Sequence, residues 1–241
     1  MLSRPQNYSE SVREACSRIS DACRASGRSV DSVTLLAVSK GQSAAAIGAV
    51  AGQGIEHFGE NFLQESLPKL HELTGRELTW HFIGRLQANK TRPVAENFAW
   101  VHGVDRLKIA ERLSEQRPFH APPLNVCLQL NVGGEESKGG VSAVDMPALA
   151  REVAALPRLR LRGLMCMPPA EADVARQRAW FRETRQLFDY LNEKGVGSGV
   201  RLDTLSMGTS ADFEAAIAEG STIVRIGTAI FGPRLNGDRF I

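Results

Sequence analysis

The sequence has no apolar run near the roughly 20 residues that a membrane-spanning helix requires. Its start, "MLSRPQNYSE", also lacks the apolar core of a signal peptide, so neither insertion nor secretion is expected and the cytoplasm is the expected location. Charge of one sign is equally scarce. A balance of 29 Lys and Arg against 27 Asp and Glu leaves +2, too little for a dominant nucleic-acid or membrane-surface footprint, although small charged ligands stay open. The cysteines Cys16, Cys23, Cys127 and Cys166 are scattered, with no CxxC pair and no His/Cys cluster at metal spacing. They read as reduced core or helix-face residues, and no metal site is expected. No Pro/Ser-rich linker or low-complexity run divides the chain, so residues 1–241 are expected to form a single domain.

What is present is an alternation of two patterns. Short apolar runs, "VTLLAVSK", "IEHFGEN", "LTWHFIG", "AWVHGVD", "LNVCLQLNV", "LRLRGLMCM", "LDTLSMG" and "TIVRIGTAIFG", read as strands. Helix-period segments such as "SAAAIGAVAGQG", "NFLQESLPKLHELTG" and "ADVARQRAWFRETRQLFDYLNEKG" separate them. Strands that alternate with helices need parallel crossovers. Eight such units in this length predict an α/β, TIM-type (β/α)8 barrel over residues 33–232, with an extra N-terminal helix within residues 1–28. A doubly wound sheet is less favoured, because "SKGQSAAA" carries neither GxGxxG nor GxxxxGK[ST].

Active sites of such barrels lie at the C-terminal strand ends. Lys40 closes "LLAVSKG", where a partly dehydrated stem would favour the neutral, nucleophilic amine; a solvated strand-end lysine explains this segment alone equally well. Downstream, Ser206-Met207-Gly208-Thr209-Ser210 and Arg225-Ile226-Gly227-Thr228 close the last two strands with hydroxyls and glycines, which suit an anion. Loops after strands seven and eight form the usual phosphate site of this fold. Closure makes the first and last strands neighbours, so one ligand could touch both Lys40 and these loops. Pyridoxal 5'-phosphate (PLP) has an aldehyde for the lysine, a phosphate for the loops, and a ring between.

These segments, with "HFGENFLQE", "WHFIGRLQANK", "VHGVDR", "LQLNVGGEESKGG", "LMCMPP" and "LSMGTSADFEAAIAEGSTIVRIGTAIFG", resemble the pyridoxal-phosphate homeostasis proteins across nearly the whole chain. The resemblance implies a PLP barrel similar to the N-terminal domain of alanine racemase. It implies that Lys40 forms an internal aldimine, that Gly208, Ser210, Gly227 and Thr228 contact phosphate, followed by Ser206 and Thr209, and that Arg225 faces the pyridine nitrogen. Thr209 stands where relatives often have Met. Asn61 and His81 close the second and third strands and are expected to contact or flank the ring. Met165 is expected to be ordinary core.

A racemase on this scaffold needs a second proton-transfer group opposite the lysine, usually a tyrosine. Only Tyr8 and Tyr190 are present, both in expected outer helices, and no further domain is expected after "IFGPRLNGDRFI". The resemblance therefore implies a PLP carrier that buffers the cofactor and passes it to apo PLP-dependent enzymes, without a catalytic residue; a monomer is expected because no heptad seam is visible. A weakly active amino-acid racemase is the alternative. A metal-dependent hydrolase using His57, His81 and His102 is disfavoured, since no HxH pair or strand-end carboxylate completes a shell; rim histidines held by hydrogen bonds are expected instead.

Overall fold

The computed structural model describes residues 7–134 and 139–232. Its strands are β1 (Thr34–Val38), β2 (His57–Glu60), β3 (Thr79–Phe82), β4 (Trp100–Val104), β5 (Leu124–Leu130), β6 (Leu159–Cys166), β7 (Thr204–Thr209) and β8 (Ile223–Ile226). They form a closed barrel in chain order, and β8 pairs in parallel with β1 to complete the ring. Helices α1 (Tyr8–Ala25), α2 (Ala44–Ala51), α3 (Leu63–Glu72), α4 (Thr91–Asn97), α5 (Leu107–Gln116), α6 (Met146–Ala154), α7 (Val174–Lys194), α8 (Phe213–Ala218) and α9 (Thr228–Phe231) surround it. The expected α/β barrel and the preceding helix are both observed.

Strand alternation divides the apolar residues between two cores. In β1, Leu36 faces the barrel interior with Trp100, Cys127, Met165 and Ile223. Its neighbour Ala37 faces outward into the larger shell, which contains Ile47, Phe58, Leu113, Phe181 and Phe213. Met165 is therefore ordinary interior packing at 2% exposure.

The first helix buries Val12, Ala15, Ile19, Ala22 and Cys23, one face at helical spacing. Asn7 caps it by accepting from Glu10 N at 3.3 Å. That face packs on α8 and α9, where Arg18 pairs with Glu214 at 2.6 Å and lies over the Phe213 ring. The opening helix thus braces the last βα units.

One expected boundary moves. The eighth strand was expected to carry Gly227 and Thr228, but β8 ends at Ile226. Gly227 N donates to Ser210 Oγ at 3.2 Å instead of continuing the ladder. Its carbonyl accepts from Ile230 N and Phe231 N at 3.0 and 2.9 Å, which winds the chain into α9. No helix among the described residues is long and apolar enough to cross a membrane.

Candidate functional site

Lys40 lies two residues beyond β1, at the C-terminal mouth of the barrel. Val38 pairs with Gly59 and Ser39 N donates to Gly59 O at 2.9 Å before the chain turns at Lys40 and Gly41, while Asn61 directly follows β2 at the same end of the barrel. Asn61 Oδ1 is buried without a hydrogen-bond partner among the described residues. An unmet buried acceptor costs about 1–3 kcal/mol, so its place at the same mouth of the barrel as Lys40 suits a polar group of a ligand.

Arg225 is on the adjoining strand, opposite Leu36 and four residues below Lys40 in register. Closure therefore makes the two strands neighbours without placing Lys40 and Arg225 side by side. β1 runs two residues past the level of Arg225, roughly 7 Å at about 3.3 Å per residue, before the turn that carries Lys40. Arg225 is buried, with Nη1 donating to Ser206 O and Oγ at 2.6 and 2.8 Å and Nη2 to Cys166 O at 2.9 Å. A guanidinium has five N–H donors, so Nε and one Nη2 hydrogen remain for a ligand. Among the described residues no carboxylate forms an ion pair with it, which argues against a structural salt bridge as its purpose. Burial lowers its pKa, while Cys166, Asp212 and Cys127 favour the charge.

The glycine and hydroxyl segments meet at the ends of β7 and β8. Gly208 has φ +91°, and a Cβ there would come within 2.6 Å of Ala216 Cβ and 2.9 Å of Phe213 Cα. Only glycine allows α8 to approach β7 so closely. Gly208→Ala should therefore cost about 2 kcal/mol or more, read as a drop in denaturant midpoint at unchanged slope. Ser210 Oγ accepts from Gly227 N, which leaves its own O–H to donate outward. Thr209 is turned elsewhere: its N and Oγ1 both donate to Asp212 Oδ1, at 2.6 and 2.9 Å. Asp212 stands at the N-cap position of α8 but spends its carboxylate on this turn and makes no side-chain cap bond. Thr228 opens α9 and is exposed.

The barrel interior holds a chain of polar side chains that strand-end reasoning placed at the rim. His57 Nδ1 meets His81 Nε2 at 2.9 Å, His81 Nδ1 meets His102 Nε2 at 2.9 Å, and His102 Nδ1 meets Ser206 Oγ at 2.8 Å. Through Ser206 the chain ends on Arg225. His81 and His102 are fully buried, and His81 stacks on Trp100 with centroids 5.3 Å apart. Both His81 ring nitrogens are taken by other histidines.

Because these nitrogens face one another, they do not converge on a common point as metal ligands would. Burial favours the neutral form of all three imidazoles. It lowers His57 against an opposing Glu56, and lowers His81 well below the ordinary value, helped by His102 and His57. It takes His102 to about 3, with further contributions from Arg225 and His57. A neutral imidazole has one donor and one acceptor, so a fully bonded chain must share a single tautomeric direction.

Beside Asn61 opens a cavity of 1370 Å³, whose wall includes Phe62, Arg85, Lys90 and Arg106. Its cations favour acidic groups. Cys23, Cys127 and Cys166 are buried and Cys16 is exposed, all as free thiols. Burial pushes Cys127 up to about 12 and Cys166 up to about 11, which makes both poor nucleophiles. The "GEESKGG" segment lies partly outside the described residues.

Residues 17–234 match the alanine racemase N-terminal domain family. The chain is 56% identical over 225 residues to the pyridoxal phosphate homeostasis protein of Pseudomonas aeruginosa, covering 93% of this chain and 95% of that one. The chain belongs to the pyridoxal phosphate homeostasis protein family. The family member of Escherichia coli is 50% identical over 220 residues, 90% of this chain and 92% of its own. Another family structure, PipY of Synechococcus elongatus with PLP bound, superposes with a TM-score of 0.79 at 36% identity, covering 89% of this chain and all of that one. Alanine racemase of Clostridium difficile shares the fold, with a TM-score of 0.70 at 13% identity over 95% of this chain and 58% of its own.

Proposed function

We propose that this protein binds PLP, holds it on Lys40 as an aldimine, and serves in PLP homeostasis as a carrier without robust catalysis. The observation that carries this reading is Lys40 just past the end of β1 and Arg225 on the strand paired with β1, with Asn61 Oδ1 unmet at the same mouth of the barrel. Bound PLP supplies an aldehyde that condenses with a lysine amine, releasing water, and a ring that can accept electrons.

The chain's own groups divide the work. Lys40 Nζ anchors the aldehyde carbon. Ser210 and the backbone at Gly208 hold the phosphate, with Thr228 at the edge, and Gly227 serves them by fixing Ser210 Oγ through its N–H. The free donors of Arg225 point a fixed positive charge at the ring nitrogen, which disfavours its protonation and leaves the ring a restrained electron acceptor. No tyrosine is placed to return a proton from the opposite face. Tyr8 packs edge-on against Phe231, and Tyr190 lies under Lys194 on the outer helix α7. Capture and release without turnover suit this set of groups.

The deciding measurement is an absorbance spectrum of purified protein with PLP. An imine band is expected for the unmodified chain and none for Lys40→Ala; a band unchanged by that substitution would refute the anchor. Delivery is tested by mixing the loaded protein with an apo PLP-dependent enzyme. Activation faster than spontaneous PLP release is expected, and activation no faster would remove direct transfer while leaving storage.

A further inference from the structure

A second lysine sits behind the first. Lys69 of α3 is 7% exposed, and its ammonium donates to Ser39 O and Glu60 Oε1, each at 3.0 Å, and to Glu65 Oε1. Three acceptors satisfy its three hydrogens. Ser39 Oγ also donates to Glu60 Oε1 at 2.6 Å, and Gly41 N donates to Glu65 Oε1 at 2.5 Å.

The bonds converge on one short piece of chain. Ser39 O belongs to the peptide unit entering Lys40, and Gly41 N to the unit leaving it. Lys69 grips the first directly and the second through Glu65. Gly41 has φ +76°, so the backbone turns sharply just after Lys40; Gln42 N closes that turn onto the same Ser39 O at 3.0 Å, and Lys69 and Glu65 fix it to α3. The arrangement is costly: Ser39 and Glu60 are fully buried, and burial pushes the Glu60 carboxyl above its ordinary value, with Lys69 and Ser39 opposing the shift. Apolar packing of similar volume would stabilise α3 at least as well as a buried ion pair. Stability alone therefore does not explain it.

We propose that Lys69, Glu60 and Glu65 are positioning residues that fix the backbone on both sides of Lys40, and so aim its amine for covalent capture of PLP. The inference rests on the reading of Lys40 above. Capture joins Nζ to the aldehyde carbon as a C=N bond, and the aldehyde oxygen leaves as water with two protons from the amine. None of the three residues takes part in that exchange.

The test compares two ligands on the purified full chain. PLP reports capture, through the rate at which the imine band appears. Pyridoxine 5'-phosphate, which has an alcohol in place of the aldehyde, reports the phosphate and ring contacts without Lys40 chemistry. Lys69→Met and Glu65→Ala are expected to slow capture ~10- to 100-fold, the scale of a misplaced reacting group, with pyridoxine phosphate affinity unchanged. Glu65→Gln, whose amide oxygen can still accept from Gly41 N, should restore most of the rate. Capture at the unmodified rate in both variants would overturn the proposal, as would equal loss of both ligands, which marks general collapse of the site. Should Lys69→Met fail to fold, the half-buried Glu65 variants still decide. Capture that persists in Lys40→Ala would instead refute the anchor itself.

Discussion

Acidification should destabilise this barrel well before its carboxylates titrate, with His102 as a major source. In the folded chain its pKa is about 3, against 6.5 for an exposed imidazole. The unfolded chain therefore takes up the proton first. Stability from neutral His102 is fully present above pH 6.5 and is lost progressively as pH falls toward 3. Each pH unit between those limits removes at most about 1.4 kcal/mol, so roughly 2 kcal/mol is gone by pH 5 and on the order of 5 kcal/mol by pH 3. His57 and His81 shift in the same direction. Glu60 works the other way, because its folded pKa is raised and acid favours its folded form. Denaturant titrations at pH 7.5, 6 and 5 should show the decline. His102→Gln, which carries no charge at any of these pH values, should make the decline shallower, with His81 and His57 carrying what remains, and an equally steep decline in that variant would sink the assignment to His102.

That chain of imidazoles also marks the limit of what the sequence discloses. The eight apolar runs were legible because each strand buries one or both faces, and Lys40 stood out as a charge ending such a run. The succession His57, His81, His102 was visible too, but its placement at the rim was not the structure's. Whether a strand residue faces the barrel or the helices depends on register, and a single-residue slip reverses every side chain. The link from His102 to Ser206 spans 104 positions, a contact no local pattern carries. Lys69 was hidden for a related reason. In "LPKLHEL" it reads as an ordinary solvated helix lysine, and only the approach of α3 to the ends of β1 and β2 turns it inward onto Ser39 and Glu60. Thr209 carries the same lesson on a smaller scale, since a hydroxyl and an amide in a glycine-rich loop look free until Asp212 is seen to hold them.

Arg225→Met should produce the other large effect, and it joins the histidine chain to the proposed cofactor site. Methionine roughly preserves the length of the side chain but removes the donors that meet Ser206 O, Ser206 Oγ and Cys166 O. Each buried acceptor left unpaired costs about 1–3 kcal/mol; Ser206 Oγ can still turn to His102, so a net loss of roughly 3–5 kcal/mol is expected at pH 7.5. The same substitution removes a positive charge that helps hold His102 down. The folded pKa of His102 should then rise toward 6.5, and less stability should be lost on acidification. The variant is thus less stable at neutral pH yet less sensitive to acid. A loss below about 1 kcal/mol, or a pH dependence as steep as that of the unmodified protein, would show that Arg225 neither satisfies these acceptors nor acts on His102. PLP bound to the variant provides an independent readout. Without the guanidinium the ring nitrogen can take a proton, so the imine band should acquire a pH dependence beyond that of the unmodified protein.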